Sequence, residues 1–183
     1  MIDHLAVATQ FIEGHIRQGG TVVDFTMGNG HDTLWLSNKV GETGKVYAFD
    51  IQKAALESSK KLLEESGCPK NYTLILDSHA NVKDYVKESI CAGMFNLGYL
   101  PGSDKSVTTL RESTMKAVES AIELLEDGGG LLIAVYPGHT EGSLEGEMLN
   151  NYFSALIRKK ICVSMLMIVI SPTSPFFFMV EKR

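Results

Sequence analysis

Cysteine is scarce in this chain and tryptophan is nearly absent, with three cysteines and one tryptophan among 183 residues. Cys68, Cys91 and Cys162 are scattered, form no CxxC pair and have no histidine at zinc-ligand spacing. This pattern excludes a disulfide framework and a cysteine-based metal site, and it points to reduced thiols in the cytoplasm. Basic charge is also short, since 17 Lys+Arg against 22 Asp+Glu leave a net charge of −5. That sign does not suit a protein that coats nucleic acid non-specifically, although a local basic patch on an acidic body can still hold a short RNA segment. No apolar run is long enough to span a bilayer. The longest, "ICVSMLMIVI" at 161–170, is about half the ~20 residues a spanning helix needs and reads as a buried strand. The start, "MIDHLAVATQ", puts an acid and a histidine where a secretory leader is basic. Repeats and low-complexity tracts are missing. The length favours one domain, 1–183, around one core.

What is present is an alternation. Residues 3–17 have helical apolar spacing and stop at Gly19-Gly20. "TVVDFT" reads as a first strand, and Asp32–Val40 as a helix. "KVYAFDI" (45–51) is a second strand and "KAALESSKKLLEES" (53–66) an amphipathic helix. "YTLILDS" (72–78) is a third strand, followed by a short helix at 82–89. "ICAGMFNLGYL" (90–100) holds a fourth strand and a loop. A helix at 114–126, a fifth strand at 130–137 and a helix at 144–157 come next. "CVSMLMIVI" and "FFFMVEK" are then two strands joined by "SPTSP". Strand–helix alternation means parallel strands with right-handed crossovers. The last linker is too short for a crossover helix, so the final pair should be antiparallel. The expected architecture is an α/β doubly wound fold: a seven-stranded, mostly parallel sheet with a C-terminal antiparallel hairpin and helices on both faces.

Ligands of open parallel sheets bind beyond the carboxyl ends of the strands, and polar residues collect there. The first strand ends in Asp24 and "FTMGNGHDT". Gly28 and Gly30 allow close backbone approach, but the third glycine of a dinucleotide fingerprint is missing. Asp32, expected to cap the following helix, repels a pyrophosphate. A loop lined by Asp24 and Asp32 suits a cationic ligand instead, such as one with an α-ammonium group. Asp50 lies 22 residues beyond Gly28, the spacing of a carboxylate that grips ribose hydroxyls, and Gln52 adds a hydrogen-bonding group. Asp77 and Ser78, with His79 beside them, end the third strand within reach of an adenine edge. An amino acid group, a ribose and an adenine together describe S-adenosylmethionine better than a nicotinamide dinucleotide.

At these residues the chain resembles the class I S-adenosylmethionine-dependent methyltransferases. More narrowly, "DFTMGNGHDTLWL", "AFDIQ", "LDSHAN", "FNLGYLPGSDKS" and "YPGHTEGSLE" are similar to a family catalogued as rRNA methylases, with members assigned as tRNA 5-(aminomethyl)-2-thiouridine34 methyltransferases. The resemblance implies a Rossmann-like fold. It also implies methyl transfer from S-adenosylmethionine to the exocyclic amine of a wobble uridine, so a tRNA anticodon region is the expected partner. By motif position it places cofactor contacts at Asn29, His31, Asp32, Asp50, Gln52, Ser78 and His79, with backbone access at Gly28 and Gly30. "NLGY" (96–99) resembles the Asn/Asp-Pro-Pro-aromatic loop of amine methyltransferases. Asn96 is expected to accept hydrogen bonds from the target amine and Tyr99 to stack on the base. His139, in "YPGH", stands where it can take up a proton. The resemblance and the apolar edge hairpin together favour a homodimer. Neither a membrane nor a metal is expected.

Three further features stay open between a binding role and an ordinary surface role. These are His4 and His15 on the first helix, the polar stretch 101–113 with Lys105 and Arg111, and the basic run at 158–160. The competing functional readings are an rRNA or small-molecule methyltransferase of the same fold and, from other classes, an NAD-binding protein or a non-catalytic nucleotide-binding module.

Overall fold

The computed structural model describes residues 3–98, 110–138, 140–156, 160–171 and 173–183. The chain begins with α1 (His4–Glu13), capped by Asp3, whose carboxylate accepts the amides of Leu5 and Ala6. β1 (Thr21–Asp24), α2 (His31–Val40), β2 (Lys45–Asp50), α3 (Lys53–Glu65) and β3 (Tyr72–Leu76) follow. A 3-10 turn (His79–Asn81) leads into α4 (Val82–Tyr85) and β4 (Ile90–Leu97). The chain closes with α5 (Arg111–Leu124), β5 (Leu125–Val135), α6 (Thr140–Ala155), β6 (Ile161–Leu166) and β7 (Phe176–Lys182).

These strands make one seven-stranded sheet in the order β3-β2-β1-β4-β5-β7-β6. Its first five strands run parallel, and β7 pairs antiparallel with both β5 and β6. The expected mostly parallel sheet with an antiparallel C-terminal pair is therefore observed. Strand alternation sorts the core into two layers. Val22, Val46, Met94, Leu132 and Phe177 face α1 and α2 through Ala8, Ile12, Leu36 and Val40. Val23, Phe49, Phe95, Ile133 and Phe178 face α4, α5 and α6 through Val82, Ala117, Val118 and Leu149.

One difference from the sequence reading is that β6, expected to be buried, is the half-exposed edge strand, because β7 covers only one of its sides; the others lie at element ends. α1 stops at Glu13, because Gly14 and the three residues after it turn back to meet β1. β5 starts at Leu125, since the glycine run joins the sheet through an irregular register opposite Ile90–Ala92. α5 begins at Arg111 and α6 at Thr140. β6 ends at Leu166, and the last apolar residues of the run turn outward, with Val169 82% and Ile170 94% exposed. Among the described residues no helix is long and apolar enough to cross a membrane.

Sheet order decides where a ligand goes. The chain leaves β1 toward β2 on one side and returns to β4 on the other, so the crossover connections part between β1 and β4. Their carboxyl ends open a crevice there.

Candidate active site at the β1–β4 crevice

The crevice is built from carboxylates and backbone turned toward one another. Asp24, at the end of β1, is fully buried. Its Oδ1 accepts the Thr26 amide at 3.1 Å and its Oδ2 accepts the Thr33 hydroxyl at 2.6 Å. Burial first, and then the charges of Asp32 and Asp50, push its carboxyl up to about 7 against the pull of those two donors.

The loop after β1 turns through two glycines in the left-handed region, Gly28 at φ 53 and Gly30 at φ 84. Gly30 is also the N-cap of α2 and has no side-chain cap. A Cβ on Gly30 would lie 2.7 Å from Ser59 Oγ and 2.8 Å from Ser59 Cα, so the loop sits directly on α3. Ser59 donates to the Gly28 carbonyl at 3.0 Å, and Ser58 to Asn29 Oδ1 at 3.3 Å. Gly30→Ala should cost about 3 kcal/mol through left-handed strain and overpacking. Scanning calorimetry should then show a melting temperature lower by about 6–12 °C. A shift within about 2 °C would mean that the loop tolerates a side chain here.

Asp50 ties this loop to the next strand. Its Oδ2 accepts the Gly28 amide at 3.0 Å and its Oδ1 the Gln52 amide at 2.9 Å. Burial raises its carboxyl above the usual range, and these backbone donors hold it down. The remaining lone pairs of its oxygens are available to hydroxyl donors. His31 is exposed at the first position of α2.

The third strand end is arranged differently. Asp77 is taken up locally by the Ser78 amide at 2.7 Å, the Tyr85 hydroxyl at 2.8 Å and the Asn81 amide group. The Tyr85 hydroxyl first, then the Ser78 amide, keep its carboxyl below the usual range. Ser78 caps the 3-10 turn by accepting the Ala80 amide. His79 is buried, with Nδ1 3.0 Å from the Phe25 carbonyl. Among the described residues its Nε2 has no hydrogen-bond partner. Burial lowers its pKa below the ordinary histidine value, so the ring is neutral and braces the β1 turn from beneath.

Asn96 joins the two halves of the crevice. Its backbone amide donates to Thr26 Oγ1 at 2.6 Å, and its Nδ2 donates to Asp32 Oδ2 at 2.6 Å. Tyr136, just past β5, places its hydroxyl 3.5 Å from Asn96 Oδ1. Burial, helped by the Asp32 charge, raises the Tyr136 phenol, so it stays protonated. Asp32 was expected to cap α2. It lies instead in that helix's first turn and reaches across the crevice to Asn96, because Gly30 holds the cap position. Thr26, Thr33 and Tyr136 belong to the site although residue patterns did not single them out. Tyr136 could have been found from its place immediately after a strand, whereas the threonines gave no signal.

Tyr99 and His139 lie outside the described residues, as does residues 101–109 of the polar stretch. Arg111 is the first residue of α5 and pairs with Glu141 at 3.0 Å. Of the basic run only Lys160 is described, 3.9 Å from Asp127. His15 bonds the Gly128 carbonyl at 2.8 Å, away from the crevice. The His4 ring lies 5.7 Å from that of Phe177. Among the described residues no cluster of three His, Cys, Asp or Glu side chains is placed to hold a metal.

Residues 46–182 match the model of the family described as "Putative rRNA methylase". The chain is 38% identical over 182 residues to "tRNA (mnm(5)s(2)U34)-methyltransferase, chloroplastic" of Arabidopsis thaliana. That alignment takes in 92% of this chain and 65% of the plant protein, so the chain spans just under two thirds of that relative's length. A crystal structure of a "putative rRNA-methylase" from Clostridium thermocellum superposes with TM-score 0.96 at 35% identity, covering 100% of this chain and 99% of that one. A "putative methyltransferase" from Streptococcus mutans, crystallised in complex with SAH, superposes with TM-score 0.90 at 35% identity over 100% and 99% of the two chains.

Proposed function

The chain belongs to the family described as "Putative rRNA methylase", and from that premise we propose that it is an S-adenosylmethionine-dependent methyltransferase acting on an amine of RNA. The amine proposed is the aminomethyl group of a 5-aminomethyl-(2-thio)uridine at the tRNA wobble position. One observation carries the reading. Asp24 and Asp50 converge on a glycine turn while Asn96, hydrogen-bonded to that same turn, presents a carboxamide at the next strand end.

The donor set fits the cofactor. Fully buried Asp24 offers negative charge to a ligand that carries both an ammonium and a sulfonium. Asp50 keeps lone pairs for two ribose hydroxyls, and Asp77, Ser78 and His79 form the wall where adenine would lie. Asn29, His31 and Gln52 line the same loops. The cofactor supplies a methyl group on a good leaving group. The amine lone pair forms the new carbon–nitrogen bond as the carbon–sulfur bond breaks, and the electron pair stays on sulfur. The protein's part is orientation and charge. Asn96 Oδ1 accepts an N–H of the amine and turns its lone pair toward the donor. Tyr99 stacks on the base. His139 takes the proton that the methylated amine sheds. A nearby sulfonium disfavours an ammonium beside it, so the amine enters neutral.

The RNA partner is the anticodon region of a tRNA, the substrate class named for the chloroplastic relative. Ribosomal RNA is the second reading, favoured by the family's description. Incubating each RNA with purified protein and methyl-labelled cofactor, then digesting to nucleosides for mass spectrometry, separates the two. Label in the wobble nucleoside of tRNA is expected. Label confined to ribosomal RNA replaces the substrate assignment, and label in neither overturns the reading.

The assembly proposed is a cytoplasmic homodimer. β6 is the edge of the sheet, and Met165, Met167, Val169 and Ile170 stand exposed along and beyond it. An exposed apolar edge is a pairing surface. Light scattering should give twice the chain mass, and Ile170→Lys should shift it to the monomer.

A further inference from the structure

We propose that Asp32 is a positioning residue of the acceptor half of the site: it fixes which end of the Asn96 carboxamide faces the incoming amine. The proposal rests on the reading of Asn96 as the group that accepts the amine's N–H, and it gives Asp32 a task other than the cofactor contact expected from the motif.

A carboxamide has a donor end and an acceptor end of almost the same shape, so its partners decide which way it points. A carboxylate accepts and never donates, and Asn96 Nδ2 lies 2.6 Å from Asp32 Oδ2, a short charge-assisted bond. Turning the carboxamide over would set Oδ1 against the carboxylate, acceptor facing acceptor. The backbone is held as firmly, because the Asn96 amide donates to Thr26 Oγ1 at 2.6 Å and the Thr26 amide donates to Asp24 at 3.1 Å. With the main chain and Nδ2 both held, Oδ1 has one remaining direction. It faces the Tyr136 hydroxyl at 3.5 Å, the outer limit for a hydrogen bond, so Oδ1 retains accepting capacity for another donor.

The arrangement has a chemical consequence. An acceptor at this point selects a nucleophile that carries N–H and turns away a tertiary amine. It also joins the two halves of the crevice, because Asp32 sits on the helix that follows the cofactor loop while Asn96 sits on β4.

The test is Asp32→Asn, which keeps the shape but offers Asn96 either an oxygen or an amide group. Asn96 can then point either way, and kcat on tRNA bearing the aminomethyl nucleoside should fall about 10- to 100-fold, while the calorimetric Kd for S-adenosylhomocysteine stays within about threefold. The double variant Asp32→Asn with Asn96→Asp restores one donor facing one acceptor. It should recover at least about fivefold over the single variant, with the rise of activity moved to higher pH because a carboxylate beside the amine holds its proton. Unchanged kcat in Asp32→Asn, a loss of S-adenosylhomocysteine affinity of about tenfold or more, or no recovery in the double variant would each overturn the proposal. Failure of the unmodified protein to bind S-adenosylhomocysteine or to methylate RNA would instead overturn the function on which it rests.

Discussion

Asp24→Asn is expected to make the unliganded protein more stable at neutral pH and above, and its complex with the methyl donor weaker. The carboxyl of Asp24 titrates at about 7 in the folded chain against 3.8 in the unfolded one. Between these values the folded state keeps a proton that the unfolded state has released. Stability therefore falls as pH rises from about 4 to about 7 and stays at the lower level above. At roughly 1.4 kcal/mol per pH unit, the span from 3.8 to about 7 amounts to about 4 kcal/mol for the ionised group. Asparagine removes that penalty and can keep both local hydrogen bonds, since the Thr33 hydroxyl can turn and accept. Denaturant unfolding at pH 8 should show a gain of about 2–3 kcal/mol, shrinking toward zero near pH 4. An equal gain at both pH values would remove ionisation as the cause.

The same variant should bind S-adenosylmethionine about 10- to 100-fold more weakly at pH 8, because a buried negative charge behind the loop has been replaced by a neutral group. In the parent protein a cationic ligand favours the ionised form, so binding below pH 7 expels a proton and affinity rises with pH through that range. Calorimetry at pH 6.5 in two buffers of different ionisation enthalpy measures the proton directly. Release from the parent protein and none from the variant is the expected pair. Release from both would assign the proton to another group.

The second large effect is expected at Asn96. Its side chain is half-buried and lies apart from Asp50, the carboxylate proposed to hold the ribose, so Asn96→Ala should leave S-adenosylhomocysteine affinity within about threefold while lowering kcat by about 100-fold or more. The loss should fall on kcat rather than KM if the contact to the amine strengthens as the new bond forms. A variant with ordinary kcat and a raised KM would make Asn96 a general RNA contact and leave the orientation of the amine to another residue.

How legible these features were in the sequence varied with the range of the interaction. Alternating apolar strands and amphipathic helices are local patterns, so the sheet, its direction changes and the C-terminal pair could be expected from residue order alone. The edge of the pattern was less legible. "ICVSMLMIVI" is apolar but for Ser164, yet only 161–166 enter the sheet, because β7 offers partners to those residues and none beyond Leu166. The start of β5 was hidden for the opposite reason. Glycines do not look like strand formers, and here the pairing of β4 draws them in.

The site shows the same division. Asp50 stands out in the sequence because a carboxylate about twenty residues after a glycine turn is a spacing that one βαβ unit sets, and the fold brings it to the Gly28 amide. Asp32 looked like a helix cap because capping is a local property. Its actual partner is 64 residues away, and no pattern within a helix reports such a contact. His79 lies beneath the Phe25 carbonyl, a placement that depends on how the β3 turn packs under the β1 turn and that residue order does not report.

What the sequence determined by itself is the set of parts: the alternation that makes a parallel sheet, the glycines that let a backbone approach a ligand, and the acids waiting at successive strand ends. These are encoded by neighbours along the chain. Which acid meets which partner was decided only when β1 and β4 were laid side by side. That step brought Thr26 and Asp32 to Asn96, enclosed Asp24 and left Asp50 half open. Burial and long-range hydrogen bonds, rather than residue type, set the charge and direction of each group.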